Sequence, residues 1–192
     1  MPSGNHDLRF LLLYMINYPS VQSRAQGELD RVVGRDRLPS LQDKRELPYM
    51  EALVDEIHRH ATIALFAVNH VPMHETTFAG YTLTERDFIT PCLYEIHHDP
   101  KNFDDPETFK PERFLDPKDG SFVPHPAVIP FGVGKRDCLG KSLAKAEIFL
   151  FSSCLLHQFS FHPPSSGSIG VDDVDIIMTR APKPFRVRIE SR

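Results

Sequence analysis

Residues 131–140, Phe-Gly-Val-Gly-Lys-Arg-Asp-Cys-Leu-Gly, set a thiol in a glycine-rich turn that runs into a helical segment. A helix N-terminus carries unpaired N–H groups and a partial positive charge, and both favour a thiolate. Arg136, two residues before Cys138, adds a fixed cation. Gly132, Gly134 and Gly140 allow the backbone to turn sharply and to approach a flat ligand closely. A thiolate presented this way can ligate a soft or borderline metal or attack as a nucleophile. The bland alternative is a buried structural cysteine, since free Cys is among the most buried residue types. Cys92 and Cys154 are the remaining cysteines, and no pair has C-x-x-C spacing. Neither a disulfide framework nor a structural zinc site is expected, and a reducing compartment follows.

Three other groups of residues bear on chemistry. Glu56-Ile57-His58-Arg59 puts a carboxylate and a guanidinium at i, i+3, close enough to pair on one helix face. The helical wheel sets that pair opposite the apolar stripe Met50, Leu53, Val54, Ile57, so by pattern alone it reads as a solvated surface pair. His70 stands alone near a strand and reads by itself as a satisfied polar side chain. Lys135, Arg136, Lys141 and Lys145 surround the cysteine turn, diluted by Asp137 and Glu147. They form either a solvated basic face or a surface that steers an acidic redox partner.

The elements that must position these residues follow from periodicity and punctuation. Residues 8–16 are apolar nearly all round, like the buried end of a helix, with Asn5 or Asp7 available as a cap. Pro19 opens a helix over 20–33, and Gly34 stops it. A short helical turn starts at Ser40. Leu47-Pro48 leads into the clearest helix, with Met50, Leu53, Val54, Ile57 and Ala61 on one stripe. Residues 76–78, 81–83 and 88–90 are β-prone, and 94–98 fits a short helix. Residues 99–137 carry seven prolines and no period, which in a compact domain signals function. A helix is expected over 139–157, apolar on every side at 148–151 and therefore buried, then strands at 159–161, 175–178 and 185–189, with loops at 163–170.

Composition narrows the classes. The chain has 192 residues, 41% hydrophobic and 25% charged, which excludes a disordered tail, a collagen-like rod and a disulfide-dense miniprotein. A net charge of −4 without a basic run gives no footprint for nucleic acid. The apolar runs fall far short of the ~20 residues that a membrane span requires. No signal-peptide or lipidation pattern begins the chain.

The spacing F-x-x-G-x-R-x-C-x-G resembles the haem-binding signature of the cytochrome P-450 family, the haem-thiolate monooxygenases, at every fixed position. Segments such as Leu13-Tyr14-Met15, Leu47-Pro48-Tyr49 and His97-His98-Asp99-Pro100 resemble the animal microsomal family-two group. The resemblance implies a mainly α fold with small β-sheets (α+β), here the C-terminal portion. Residues 1–192 would then form the haem-ligand region of one catalytic domain whose N-terminal half is absent. It implies haem b (iron protoporphyrin IX), with Cys138 as proximal iron ligand and catalytic residue. Arg136 would pair with a haem propionate, Phe131 would cover the sulfur side of the ring, and Gly132, Gly134, Gly140 and Ala144 would complete the cofactor-binding set. His70 would bond a propionate, and residues 63–66 would line the pocket above the ring. Glu56 and Arg59 would form a buried structural triad with Arg113 of Pro111-Glu112-Arg113-Phe114, locking the proline-rich segment behind Cys138.

By the same resemblance the partners are an NADPH-dependent reductase or other electron donor on the Cys138 face and a small lipophilic substrate. The full-length family member sits in the endoplasmic reticulum membrane through an N-terminal anchor, which these residues lack. Thr62, Leu65 and Asn69 depart from the prolines usual after the family's corresponding helix, and Thr84-Glu85-Arg86-Asp87 replaces a usual Pro-Lys-Gly turn. The acid–alcohol motif that delivers protons to bound oxygen is not found before Leu8. Two readings therefore stand: the haem-ligand region of a monooxygenase, or a truncated non-enzymatic relative that binds haem or a partner without turnover.

Overall fold

Pro19 begins α2 (Pro19–Val33) one residue after α1 (Ser3–Asn17), where a missing N–H costs no helical bond. The computed structural model describes residues 3–165, 170–176 and 179–192. Within α1, Phe10, Leu11, Leu13, Tyr14 and Met15 are all buried, as expected for a segment apolar on every side. Gly34 ends α2 at φ 74°, and its N–H donates to Asp30 O. The turn expected at Ser40 is a 3₁₀ turn, Asp43–Glu46, held by the Ser40 N–H and hydroxyl donating to Asp43 Oδ2.

Leu47 provides no side-chain cap for α3 (Pro48–Ala61). Glu28 of α2 does so instead: its two oxygens accept the N–H groups of Tyr49 (2.9 Å) and Met50 (3.0 Å). This carboxylate satisfies two of the unpaired donors of the first turn and ties the two helices together. The apolar stripe of α3 joins α1, α2 and α5 (Lys141–Gln158) in the main core, with Leu29, Leu47, Phe149, Leu156 and Phe161.

The opposite face of α3 is covered as well. The 3₁₀ turn Pro111–Phe114 packs on it, and Ala52, Phe103 and Phe114 make a second small core with Phe122 and Val128. Residues 99–137 have little regular structure, and their buried anchors are Phe103, Phe109, Pro111 and Phe114. The short helix expected near 94–98 is α4 (Leu93–His98).

Three two-stranded antiparallel sheets lie around these helices among the described residues. β1 (Thr76–Phe78) and β2 (Tyr81–Leu83) turn through Ala79 and Gly80, both at positive φ, the backbone that matches hairpin twist. β3 (Phe159–His162) pairs with β6 (Arg188–Ser191), and β4 (Val174–Ile176) with β5 (Arg180–Pro182). Several expectations need correction. Residues 88–90 contribute one bridge, Ile89 to His70, not a strand. Pairing in the last segment starts at Arg188 rather than at 185. β5 is unforeseen, because an Arg-Ala-Pro run has no strand character. Of the strand expected over 175–178, residues 177 and 178 lie outside the described residues, as do 166–169 of the loop.

α5 departs from its expected all-round burial. Ile148 and Phe149 are buried, but Phe151 is 52% exposed. α1, α2 and α3 cover one side of α5. Leu139, Leu143, Phe66, Met73, Phe78, Tyr81 and Phe88 are also exposed. Among the described residues no helix is long and apolar enough to cross a membrane.

Candidate functional site

The cysteine turn is built by backbone conformation. Gly132 (φ 74°) and Gly134 (φ 73°) occupy the left-handed region that side chains other than glycine rarely adopt. Between them and the cysteine lies a single 3₁₀ turn, Gly134–Arg136. Gly132 N–H donates to Ile129 O (3.0 Å), and Cys138 N–H reaches back to Phe131 O (2.8 Å). The second bond closes the turn into a ring with Phe131 and Cys138 at its neck. Lys141 N–H then donates to Cys138 O (3.1 Å), and Ala144 N–H to Gly140 O (2.8 Å), which starts α5.

Gly140 is the N-cap of α5 and offers no side chain to its free N–H groups. A Cβ there would stand 3.8 Å from Cys138 Sγ. The sulfur therefore lies over a bare Cα, close to the positive end of an 18-residue helix. Cys138 is exposed, which sets aside the buried structural cysteine. Phe131 meets the ring of His58 edge-on, centroids 5.5 Å apart. His58 is buried, with Asp7 Oδ1 3.5 Å from its Nε2.

Arg136 is exposed and makes no ion pair among the described residues. Of the basic cluster, Lys141 is paired with Asp137 at 3.4 Å, and Lys135 is exposed beside Arg136.

Glu56, Arg59 and Arg113 form a second constellation. The wheel-based surface reading of Glu56 and Arg59 fails: both are 0% exposed, because the proline-rich segment covers the face opposite the core. Arg59 grips Glu56 with two bonds, Nε to Oε2 at 2.7 Å and Nη2 to Oε1 at 2.8 Å. Arg113 Nε (3.2 Å) and the Lys110 N–H (2.7 Å) donate to Glu56 Oε1. Further guanidinium hydrogens go to main-chain carbonyls: His97, Pro106 and Thr108 from Arg59, and Asp104, Asp105 and Thr108 from Arg113. All five N–H of the fully buried Arg59 point at acceptors, which is the condition for burying such a charge.

His70 joins neither constellation by a hydrogen bond among the described residues. It exchanges backbone bonds with Ile89 (2.8 and 2.9 Å), and its Nδ1 is buried without a partner.

Sequence reasoning missed His97 and Thr62. His97 is fully buried and bonds both Thr62 and Ile129. Two adjacent histidines before Asp-Pro have no period or motif to set one apart. Glu112, beside Arg113, accepts from Arg24 (2.7 Å) and from Tyr49 OH (3.1 Å), a link equally invisible in sequence.

A family model for cytochrome P450 matches residues 6–189. The chain belongs to the cytochrome P450 family. Cytochrome P450 2U1 of Rattus norvegicus is 38% identical over 187 residues, 97% of this chain and 35% of that protein. Cytochrome P450 2B15 of the same species is 36% identical over 190 residues, 96% of this chain and 37% of that one. Among solved structures, a zebra fish cytochrome P450 determined with progesterone aligns with TM-score 0.89 and 34% identity, over 99% of this chain and 42% of that chain. The chain thus spans about a third of the length of the curated relatives it matches. Its similarity is to family-two members, and its mainly helical fold with small sheets is a portion of the P450 fold. The family is one of haem-thiolate monooxygenases.

Proposed function

We propose that this chain carries the haem-ligand region of a monooxygenase, with residues 1–192 part of one catalytic domain. The observation that carries the proposal is Cys138 Sγ, exposed over the bare Cα of Gly140 on a turn closed by the Cys138–Phe131 bond. These residues fit a haem: a flat ring can lie against a sulfur flanked by glycines, and His70 Nδ1 is an unused buried polar atom. When bound, haem b supplies the iron chemistry by which one atom of dioxygen enters an organic substrate.

The chain's own contributions are holding and tuning. Cys138 would supply the sulfur ligand from the start of α5. N–H groups just after Cys138 would bond the sulfur of a ligating thiolate and adjust its electron donation. Phe131 covers the sulfur side of the ring, and Ala144 is small enough to let α5 pass close to it. Arg136 and His70 would pair with the propionates of a bound haem. Glu56, Arg59 and Arg113 act structurally, fixing the segment that leads to the turn. Lys135, Arg136, Lys141 and Lys145 dock an NADPH-dependent reductase or other electron donor by charge. The substrate class is small and lipophilic, and the whole protein resides at the endoplasmic reticulum membrane.

The exposed side chains of Leu139, Leu143 and Phe151 favour a second reading, a haem-binding or interaction fragment without turnover. One preparation tests both. The chain is reconstituted with haem, reduced and exposed to carbon monoxide. The absorption band typical of thiolate ligation is expected, and Cys138→Ala should abolish it. A band typical of imidazole ligation, or none, overturns the assignment of Cys138. Oxidation of a lipophilic test substrate with a reductase present would exclude the second reading.

A further inference from the structure

We propose that His97, acting through Thr62 and Ile129, is a positioning residue for the cysteine turn, held as a neutral imidazole with its proton on Nδ1. The imidazole is fully buried in α4 and joins three parts of the chain. Its Nε2 faces the Ile129 N–H at 3.0 Å, and its Nδ1 faces Thr62 Oγ1 at 2.8 Å. A backbone N–H can only donate, so Nε2 must be the bare nitrogen and Nδ1 must carry the hydrogen. The Thr62 hydroxyl accepts from Nδ1 and sends its own hydrogen to Arg59 O. The carbonyl of His97 accepts from Arg59 Nη1 at 2.9 Å.

Each donor and acceptor in this chain of bonds has one available sense. It runs from the end of α3 to Ile129, two residues before Phe131. Ile129 O takes the Gly132 N–H, and Phe131 O takes the Cys138 N–H. The location of the sulfur is therefore referred, bond by bond, to Arg59 and His97.

A second observation points the same way. Thr62 caps α3 at φ 37°, a left-handed backbone rare for a β-branched residue. Such backbone persists where the surroundings over-determine it, and here the Thr62 hydroxyl is fixed from both sides. Burial also drives the His97 imidazole down to about 3, which keeps it neutral at every working pH.

The consequence for ligation rests on the reading of Cys138 as haem ligand, but the test does not. Amide hydrogen exchange is measured on the 192-residue chain. His97→Phe keeps a buried ring without nitrogens. It should speed exchange at Ile129, Gly132 and Cys138 by tenfold or more while leaving the β3–β6 ladder unchanged. His97→Gln can accept at one atom and donate at another, and it should restore parent rates within about threefold. Equal exchange at these three amides in His97→Phe and the parent overturns the proposal. If His97→Phe accelerates exchange throughout, the ring-nitrogen resonances of the parent decide. A proton on Nδ1 supports the proposal, and a proton on Nε2 overturns it. Failure of Cys138 to hold iron would appear in the carbon monoxide spectrum and leave these exchange rates as they are.

Discussion

Glu56 is fully buried, and two guanidiniums plus one N–H take up its oxygens. Glu56→Gln would remove the charge that both arginines were buried against. The expected loss is about 3–5 kcal/mol, read as a lowered urea midpoint. The histidines give a different kind of prediction. Burial lowers His60 to about 4 and His97 to about 3. His60 is held neutral between Tyr14 OH at Nδ1 (2.6 Å) and Glu107 O at Nε2 (2.9 Å). Both groups have folded values below the unfolded value of about 6.5, so the unfolded chain takes up protons first as pH falls. The stability they contribute is complete above pH 6.5 and drains away between there and about pH 4 to 3. At pH 5 each accounts for a loss of about 2 kcal/mol. Urea midpoints at pH 7 and 5 should differ accordingly, and His97→Gln should flatten the difference.

α3 shows how far a helix can be read from its letters. The stripe Met50, Leu53, Ile57, Ala61 was legible because one face meets the main core in the usual period. The opposite face was illegible to periodicity, because residues 99–115 cover it without a period of their own; only the family resemblance placed the Glu–Arg pair in a buried triad. The cysteine turn lay at the other extreme. Gly132 and Gly134 sit where the backbone needs positive φ, and the spacing of the turn marked them. His97 left no trace, since its role depends on three segments meeting. The start of α3 at Pro48 was legible, but its cap was hidden, because Glu28, which supplies it, belongs to α2. Glu28→Ala should cost about 1 kcal/mol, the usual worth of a helix cap, and should raise amide exchange in the first turn of α3 more than in its last.

At the scale of the molecule, apolar side chains on one side of α5 and around β1 and β2 have no cover among the described residues. Surfaces of that kind bind hydrophobic dyes and one another. The chain in solution should enhance the fluorescence of such a dye and sediment with concentration-dependent mass, and Leu143→Glu should weaken both effects. Because Leu143 is exposed, that substitution should shift the urea midpoint by no more than about 0.5 kcal/mol. The proline-rich stretch behaves in the opposite way. Its carbonyls of Asp104, Asp105, Pro106 and Thr108, with that of His97 in α4, together serve as the solvent for two guanidiniums. In shape it is coil, but in tolerance it is core: an insertion or deletion of one residue there would shift the whole set of acceptors out of register at once.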